Sequence, residues 1–247
     1  PLLPEDAVIF DVGANVGDWT DMMLGKLPKA SYHLFEPNTH LVSNSLLQKF
    51  GGNEKINLSP FAAYKEDGKE LDFFYFTNEN NGLSSIYHNP KWDYLPMQTG
   101  KVTSVTLDTY CKTNGISRID VLKIDVEGAE LDVLQGCWHL LNGKVAKYIQ
   151  VEYSEHYKLT ERKFMDVVNF VKQFGYSAYF WQHGDWQRNS RLFGRSQHCA
   201  HLTNRDYDDC GSNCHNQSSR SPGLHLRLYP DQHQCPELCF DQQRGHD

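Results

Sequence analysis

Near the start of the chain stands the sequence Val8-Ile9-Phe10-Asp11-Val12-Gly13-Ala14-Asn15-Val16-Gly17. Its apolar residues predict a buried strand that runs through a glycine turn into a helix. Gly13 lets the backbone turn sharply and approach a ligand without a Cβ, and Gly17 opens a helix whose free N–H groups face the same place. This pattern predicts an α/β fold with a site for a small anionic or nucleoside ligand at the carboxyl end of the first strand.

The second strand favours a nucleoside without a diphosphate. Residues 32–36 read as a strand that ends at Glu36, 19 residues after Gly17. A carboxylate there can accept hydrogen bonds from both hydroxyls of a ribose. A nicotinamide dinucleotide would use the same acid, but its usual three-glycine loop is missing, and no Walker lysine follows. S-adenosylmethionine is the common nucleoside of this kind. Loop backbone would hold its amino acid end, and Asp11 could meet its ammonium group directly or through water.

Strand and helix patterns alternate along the rest of the body, which predicts a mostly parallel sheet with helices on both faces. The predicted helices are 18–26, 39–50 with Thr39 as N-cap, 129–141 and 164–174, and the later strands include 56–64, 70–77, 119–125, 148–153 and 176–181. We expect 56–64 and 70–77 to form a hairpin, because Asp67-Gly68 between them is a turn signal. Residues 78–100 are polar, without a steady period, and predict a long loop.

A second chemical motif, Lys123-Ile124-Asp125-Val126-Glu127-Gly128-Ala129-Glu130, follows a central strand. On an extended backbone, Asp125 and Glu127 would share a side. Two nearby carboxylates can bind a cation, act as a base or grip substrate hydroxyls, and simple solvation of the strand end is the alternative. Lys123 is either an ion-pair partner of Asp125 or a catalytic group. Glu130 suits the start of the next helix, where its charge favours the helix dipole.

Taken in order, these motifs resemble the FkbM family of S-adenosylmethionine-dependent methyltransferases over roughly residues 7 to 182. The resemblance rests on the motifs 11–17, Glu36-Pro37, Thr106-Leu107-Asp108, Ile119-Asp120, 123–130 and Leu134-Gln135-Gly136, of which 123–130 is the most specific. It implies a Rossmann-like class I methyltransferase sandwich with a mostly parallel seven-stranded sheet. It also implies methyl transfer to an oxygen, often a hydroxyl of a sugar or polyketide.

The resemblance also implies roles for single residues. The predicted cofactor-binding residues are Asp11, Gly13, Ala14, Asn15 and Gly17 at the methionine end, Glu36 and Pro37 at the ribose, and Asp125 near the methyl group. Many class I enzymes place an acid for the adenine amino group after the third strand. Here the sequence reads Phe61-Ala62-Ala63, so we expect backbone contacts to the adenine.

An alcohol is a poor nucleophile at neutral pH, so methyl transfer to oxygen gains from a base. The candidates for this catalytic role are Asp125, Glu127, Glu152 and His156. Glu152 and His156 lie at the end of a strand on the same rim, although a surface histidine is the alternative for His156. The long loop is expected to cover the acceptor, where Tyr87, Trp92 and Tyr94 could stack on a sugar ring or anchor the loop. Within it, Gly82-Leu83-Ser84-Ser85 resembles a Ser-Ser element of the family.

Composition bounds the remaining expectations. The 247 residues carry a net charge of −7 without a long basic run, which disfavours a nucleic-acid partner. No apolar run approaches the length of a membrane span, and no leader opens the chain, so we expect a cytoplasmic protein. The family resemblance implies that it acts on a small-molecule or glycan hydroxyl. Cys111 and Cys137 are expected to be buried thiols. Oligomeric state does not follow from the sequence.

The methyltransferase domain is expected to span residues 1–187, and residues 188–247 form a Cys/His-rich tail. In that tail, Cys210, Cys214, Cys235 and Cys239 are weak candidates for a zinc site, and two disulfides or a disordered extension are the alternatives. Within the tail only residues 224–229 alternate like a strand, which could complete the sheet. Two other functions remain open: a non-catalytic nucleoside-binding module of the same fold, and a nicotinamide-dependent oxidoreductase.

Overall fold

A sheet with a parallel centre organises the computed structural model, which describes residues 3–77, 82–153, 156, 162–182, 185–188 and 224–230. Its parallel strands lie in the spatial order β3 (Ile56–Ser59), β2 (Ser31–Phe35), β1 (Val8–Val12), β7 (Ile119–Ile124) and β8 (Ala146–Tyr153). The chain builds outward from β1 to β2 and β3, and later returns to the other side of β1 with β7. The β1/β7 junction is therefore the switch point, where open α/β sheets bind ligands at the carboxyl ends of their strands.

Antiparallel strands extend the sheet beyond β8, in the order β11 (Leu224–Pro230), β9 (Tyr176–Gln182) and β10 (Asp185–Arg188). The predicted Rossmann-like fold is confirmed, but the described sheet has eight strands instead of seven. The additional strand is β10, because the chain turns back after β9 and pairs with it as a hairpin. The alternating segment of the tail does complete the sheet, since β11 inserts between β8 and β9. The boundary at residue 187 stays a prediction.

Helices cover both faces of the sheet, as predicted. They are α1 (Asp18–Lys26), α2 (Thr39–Leu41), which continues through a π-helical segment (Val42–Leu46) into α3 (Leu47–Phe50), α4 (Leu107–Thr113), α5 (Glu130–Gln135), α6 (Trp138–Asn142) and α7 (Phe164–Lys172). Neighbouring residues of β1 serve opposite faces. Ile9 packs in a buried cluster with Met23 of α1, and Phe10 packs in another with Val133 of α5 and Val168 of α7.

Two predicted helix boundaries were wrong. The N-cap of α2 is Asn38 instead of Thr39, because the Asn38 side-chain oxygen accepts a hydrogen bond from the His40 N–H. The expected helix 129–141 is broken at Gly136 and Cys137. Gly136 lies against a neighbouring part of the chain, since a Cβ there would be 2.2 Å from the Tyr64 carbonyl oxygen.

The predicted hairpin was also wrong. Residues 56–64 are interrupted at Pro60, which lacks an N–H, and they divide into β3 and the short strand β4 (Ala62–Ala63). Strand β5 (Glu70–Tyr75) pairs instead with β6 (Gln98–Val105), and a second sheet forms in the order β4-β6-β5. The long loop therefore connects β5 to β6, and its described part, residues 82–97, is called the acceptor loop below.

Among the described residues, no helix is both long and apolar enough to cross a membrane. Cys111 and Cys137 are free thiols in the interior, as predicted, and burial raises the pKa of the Cys111 thiol to about 12.

Candidate active site

The turn after β1 is pressed against the end of β7. Gly13 has a φ of +80°, and a Cβ built on it would lie 1.8 Å from the carbonyl oxygen of Asp125. The Gly13 and Ala14 N–H groups both donate to the Phe35 carbonyl, at 2.9 and 3.0 Å. Glycine is therefore required at position 13, and the turn is fixed between the ends of β2 and β7.

Glycine is also required at position 17, because of a contact different from the one at Gly13. Gly17 begins α1 with a φ of +82°, and a Cβ there would lie 2.5 Å from the Phe50 ring. The turn of residues 13–17 is thus held close to α3 on one side and to β7 on the other. Asn15, in the middle of the turn, adopts a left-handed φ of +51°, which asparagine tolerates better than most residues.

Glu36 lies directly beneath this turn. One carboxylate oxygen accepts a hydrogen bond from the Asn15 N–H at 2.9 Å, and the other accepts from the Asn38 N–H at 2.8 Å. The side chain is buried, and burial raises its pKa to about 7 even though the two N–H groups favour the ionised form. Each oxygen keeps a lone pair, so the carboxylate can still accept hydrogen bonds from a ligand. The adjoining Pro37 is half-buried.

Lys123 forms a buried ion-pair centre between the two neighbouring strands. Its Nζ lies 3.1 Å from an oxygen of Asp11 and 3.1 Å from an oxygen of Asp125. Burial alone would lower the pKa of Lys123, but the two carboxylates raise it above its usual range. The alternative of an ion pair for Lys123 is therefore confirmed. Asp11 is fully buried under the turn, and its second carboxylate oxygen accepts a hydrogen bond from the Thr20 hydroxyl at 2.7 Å. Direct contact between Asp11 and a cofactor stays a prediction.

The extended backbone that would place Glu127 on the same side as Asp125 ends before Glu127. Its φ is +53°, because the backbone turns immediately after β7. The turn directs the Glu127 carboxylate to His156, whose Nδ1 lies 2.9 Å from Oε2. A Cβ at Gly128 would lie 2.9 Å from the Cβ of His156, so the glycine lets this pair approach.

Glu130 stabilises the turn after β7 through hydrogen bonds to its backbone. Its carboxylate accepts hydrogen bonds from the Val126 N–H at 3.1 Å and from the Gly128 N–H at 3.1 Å. Glu130 is the first residue of α5, as predicted, but it satisfies the N–H groups of the turn that precedes the helix. Burial raises the pKa of Glu130 to about 8.

Glu152 joins the cluster from the end of β8. Its carboxyl group is hydrogen-bonded to the Asp125 side chain, and burial together with the charges of Asp125 and Glu127 raises the pKa of Glu152. The structure thus brings together all four catalytic candidates: Asp125 with Glu152, and Glu127 with His156.

The acceptor loop is fastened over this rim. The Ser85 hydroxyl donates to the Glu127 carbonyl oxygen at 2.7 Å, and the Ser85 backbone pairs with Phe74 of β5. The Trp92 ring lies against the His156 ring, with centroids 6.5 Å apart. Gly82 approaches Asn15 of the glycine turn, since a Cβ on Gly82 would lie 3.6 Å from the Asn15 amide nitrogen. The loop therefore touches both halves of the site.

A second anchor of the acceptor loop escaped the sequence analysis. Asp132 of α5 is fully buried and accepts a hydrogen bond from the Tyr87 hydroxyl at 2.7 Å. Arg162 donates to both of its oxygens, and Lys65 Nζ lies 3.2 Å away. Burial opposes the charge of Asp132, but these donors hold its pKa below the usual range. The four residues are far apart in the chain, and no local pattern connects them.

Among the residues that the structure describes, no group of three or more His, Cys, Asp or Glu side chains is arranged to hold a metal ion. The four cysteines Cys210, Cys214, Cys235 and Cys239 lie outside the described residues, so the proposed zinc or disulfide role of the tail stays a prediction.

Comparison with known proteins agrees with this geometry. Residues 11–178 match the model of the Methyltransferase FkbM domain. The chain belongs to the FkbM methyltransferase family. The matched range begins at Asp11 of β1 and ends within β9, so it contains the glycine turn, Glu36, the Lys123 ion pairs and all four catalytic candidates.

Curated relatives and a solved structure point the same way. The chain is 28% identical to Methyltransferase 1 of Beauveria bassiana over 58% of this chain and 65% of the relative. It is 29% identical to the 2-O-methyltransferase NoeI of Sinorhizobium fredii over 61% of this chain and 64% of the relative. The chain thus spans slightly less than two thirds of the length of these two relatives. The crystal structure of an FkbM methyltransferase from Methylobacillus flagellatus shares the fold, with a TM-score of 0.50 and 14% identity over 74% of this chain and 42% of that chain.

Proposed function

We propose that this FkbM-family chain is an S-adenosylmethionine-dependent O-methyltransferase that acts on a hydroxyl group of a carbohydrate or other small molecule. The observation that carries the proposal is the meeting of Gly13, Glu36 and Asp125 at the β1/β7 switch point. A bare backbone turn, a buried acid with free lone pairs and an acid-rich rim there suit a nucleoside that carries positive charge.

The charge balance supports S-adenosylmethionine over a dinucleotide. Asp11 and Asp125 are paired with the buried cation Lys123, and Glu152 and Glu127 add two more carboxyl groups beside Asp125. An excess of carboxyl groups attracts the sulfonium and ammonium charges of S-adenosylmethionine and repels a pyrophosphate. Glu36 would accept hydrogen bonds from the ribose, the turn of residues 13–17 would hold the methionine end, and Asp125 would lie near the sulfonium.

When bound, S-adenosylmethionine supplies a methyl group on positively charged sulfur, which leaves as a neutral thioether once that methyl has passed to oxygen. The chain must orient the acceptor hydroxyl and take its proton. We assign the proton to Glu127, which His156 holds in place through Nδ1. A left-handed φ at a glutamate costs about 1 kcal/mol or more, and such strain concentrates at functional sites. Glu152 is the second candidate, because its raised pKa lies closer to neutral pH, where a general base is most effective.

The cofactor part is tested by isothermal titration of the purified chain with S-adenosylmethionine, S-adenosylhomocysteine and NADH. Glu36→Gln keeps the side-chain volume but replaces one acceptor oxygen by an N–H₂ group that faces a backbone N–H. We expect micromolar binding of both sulfur nucleosides, at least tenfold weaker binding by Glu36→Gln, and no binding of NADH. Glu54→Gln on the exposed surface is the matched control. NADH binding, or no binding of any nucleoside, contradicts the proposal.

The base is tested by turnover with a labelled methyl donor and a panel of hydroxyl acceptors. Loss of a general base typically costs about 10²–10⁴-fold in kcat. Glu127→Gln should therefore lose at least about 100-fold in kcat with unchanged affinity for S-adenosylhomocysteine, and Glu152→Gln should lose less. The reverse order would assign the proton to Glu152. Cofactor binding without turnover on any acceptor would instead indicate a non-catalytic binding module.

A further inference from the structure

The peptide group that follows Glu127 is held from two sides. Its carbonyl oxygen accepts a hydrogen bond from the Ser85 hydroxyl at 2.7 Å, and its N–H, that of Gly128, donates to the Glu130 carboxylate at 3.1 Å. Ser85 belongs to the acceptor loop, whereas Glu130 begins α5. Because a peptide group fixed at both ends cannot rotate freely, these two bonds stabilise the left-handed φ of +53° that directs the Glu127 carboxylate to His156.

The surroundings of Ser85 direct its hydroxyl to one partner. Ser85 is 2% exposed, and its backbone pairs with Phe74 of β5 through hydrogen bonds of 2.8 and 2.9 Å. Its side-chain oxygen accepts a hydrogen bond from the Tyr87 N–H at 3.0 Å, and its O–H donates to the Glu127 carbonyl. If the hydroxyl were removed, the backbone pairing with Phe74 would keep the loop in place, and the bond to Glu127 would be lost.

A second contact closes a ring that runs through the acceptor loop and α5. Tyr87, two residues after Ser85, donates its hydroxyl to Asp132 of α5 at 2.7 Å. Asp132 lies two residues after Glu130, so the helix that fixes the Gly128 N–H also binds the loop. The loop and the helix therefore cannot move apart without breaking a contact that supports the turn after β7.

We propose that Ser85 is a positioning residue for methyl transfer, because its hydroxyl holds the peptide group after Glu127 and so keeps the Glu127 carboxylate directed at the acceptor hydroxyl. This inference rests on the proposed function, in which Glu127 takes the proton of the acceptor. Ser85 thereby couples the loop expected to cover the acceptor to the placement of the base.

The test compares Ser85→Ala with Ser104→Ala, a matched control on β6. Ser104 is 3% exposed, donates its hydroxyl to the Glu66 carbonyl at 2.6 Å and accepts from the Lys69 N–H at 3.0 Å. The two serines thus have similar burial and the same two kinds of backbone partner, but the partners of Ser104 are not site residues. Both variants should lower the urea midpoint of unfolding by a similar amount. Only Ser85→Ala should lower kcat, about tenfold or more, with unchanged affinity for S-adenosylhomocysteine.

The Glu127→Gln background shows whether Ser85 acts through the base. If it does, Ser85→Ala should change kcat less than about twofold once the base has been removed, whereas a merely structural role would lower kcat by the same factor in both backgrounds. Ser85→Cys keeps a weak S–H donor and should recover part of the lost kcat. It also provides a second variant for the same comparison if Ser85→Ala does not fold.

Hydrogen exchange of the Gly128 amide gives a measure that needs no acceptor. Since the Gly128 N–H belongs to the peptide group that Ser85 holds, its exchange should be about tenfold faster in Ser85→Ala and unchanged in Ser104→Ala.

Equal losses of kcat in the two backgrounds, or unchanged Gly128 exchange in Ser85→Ala, would overturn the role of Ser85 and leave the methyltransferase proposal standing. If the folded chain binds no sulfur nucleoside, or binds it without turnover on any acceptor, the proposed function falls and the role of Ser85 in catalysis falls with it.

Discussion

Replacing Gly13 with alanine tests the geometry on which the site depends. The new Cβ would lie 1.8 Å from the Asp125 carbonyl oxygen, so the turn and the end of β7 must separate by about 1 Å or more. Overpacking of this kind costs about 1–3 kcal/mol, and a left-handed φ of +80° adds about 1–2 kcal/mol for a residue with a Cβ. We therefore expect Gly13→Ala to lower the free energy of unfolding by about 2–5 kcal/mol.

Gly68→Ala separates the two contributions. Gly68 also has a positive φ, +65°, but a Cβ there would have no atom within 4 Å. This control should lose only the backbone term, about 1–2 kcal/mol. Urea unfolding followed by tryptophan fluorescence measures both variants. Titration with S-adenosylhomocysteine measures the site, where a displacement of about 1 Å can cost on the order of 100-fold in function.

The reasoning predicts that Gly13→Ala loses stability and nucleoside affinity together, and that Gly68→Ala keeps its affinity. Equal destabilisation of the two variants would show that β7 does not press on the turn. Unchanged affinity in a destabilised Gly13→Ala would show that the turn does not line the nucleoside site, and the assignment of residues 13–17 would be refuted.

Lys123→Met should destabilise the chain by about 3–5 kcal/mol in urea unfolding, because it leaves the buried Asp11 and the partly exposed Asp125 without their cation. Burial lowers the pKa of His33 to about 4, below its unfolded value, so the stabilising contribution of the neutral ring is present above about pH 6.5 and is lost as the pH falls towards 4. The free energy of unfolding should change by about 3 kcal/mol across that range, and His33→Gln should abolish the change. Tyr87→Phe removes the 2.7 Å hydrogen bond to Asp132 and should reduce acceptor turnover without changing S-adenosylhomocysteine affinity; a parallel loss of both would show that the loop anchor supports the nucleoside site instead. Because the pKa of Glu36 is raised to about 7, ribose binding should favour the ionised form of Glu36 and release protons at pH 7. Calorimetric titration in phosphate and in Tris buffers detects this release as different apparent binding enthalpies, and Glu36→Gln should release fewer protons.

The parts of the site that the sequence predicts are those with local patterns. The glycine turn, Glu36 and the motif 123–130 each follow a strand directly, and parallel strands bring their carboxyl ends to one rim. The relation of these segments was therefore predictable once the strands were recognised. The same logic predicted that Glu152 at the end of β8 and His156 beyond it join the same rim.

The errors arise where distant segments decide the structure. Strand β5 pairs with β6, about 30 residues later in the chain, and the turn signal at Asp67-Gly68 favoured a nearer partner. Asp67 has another task, since its carboxylate accepts from the Thr106 N–H at 2.7 Å. The orientation of Glu127 followed from a left-handed φ, which an alternating-strand argument does not include. Gly128 was the local sign that the strand had already ended.

The charges of the site explain why buried acids can be kept there. Lys123 is shared by Asp11 and Asp125, so it compensates only part of the negative charge around it. Glu36 and Glu152 have raised pKa values, because burial and the neighbouring carboxyl groups outweigh the attraction of Lys123. The proposed S-adenosylmethionine would offset part of this cost when it binds, because its positive charge would lie near Asp125 and its ribose hydroxyls would donate hydrogen bonds to Glu36.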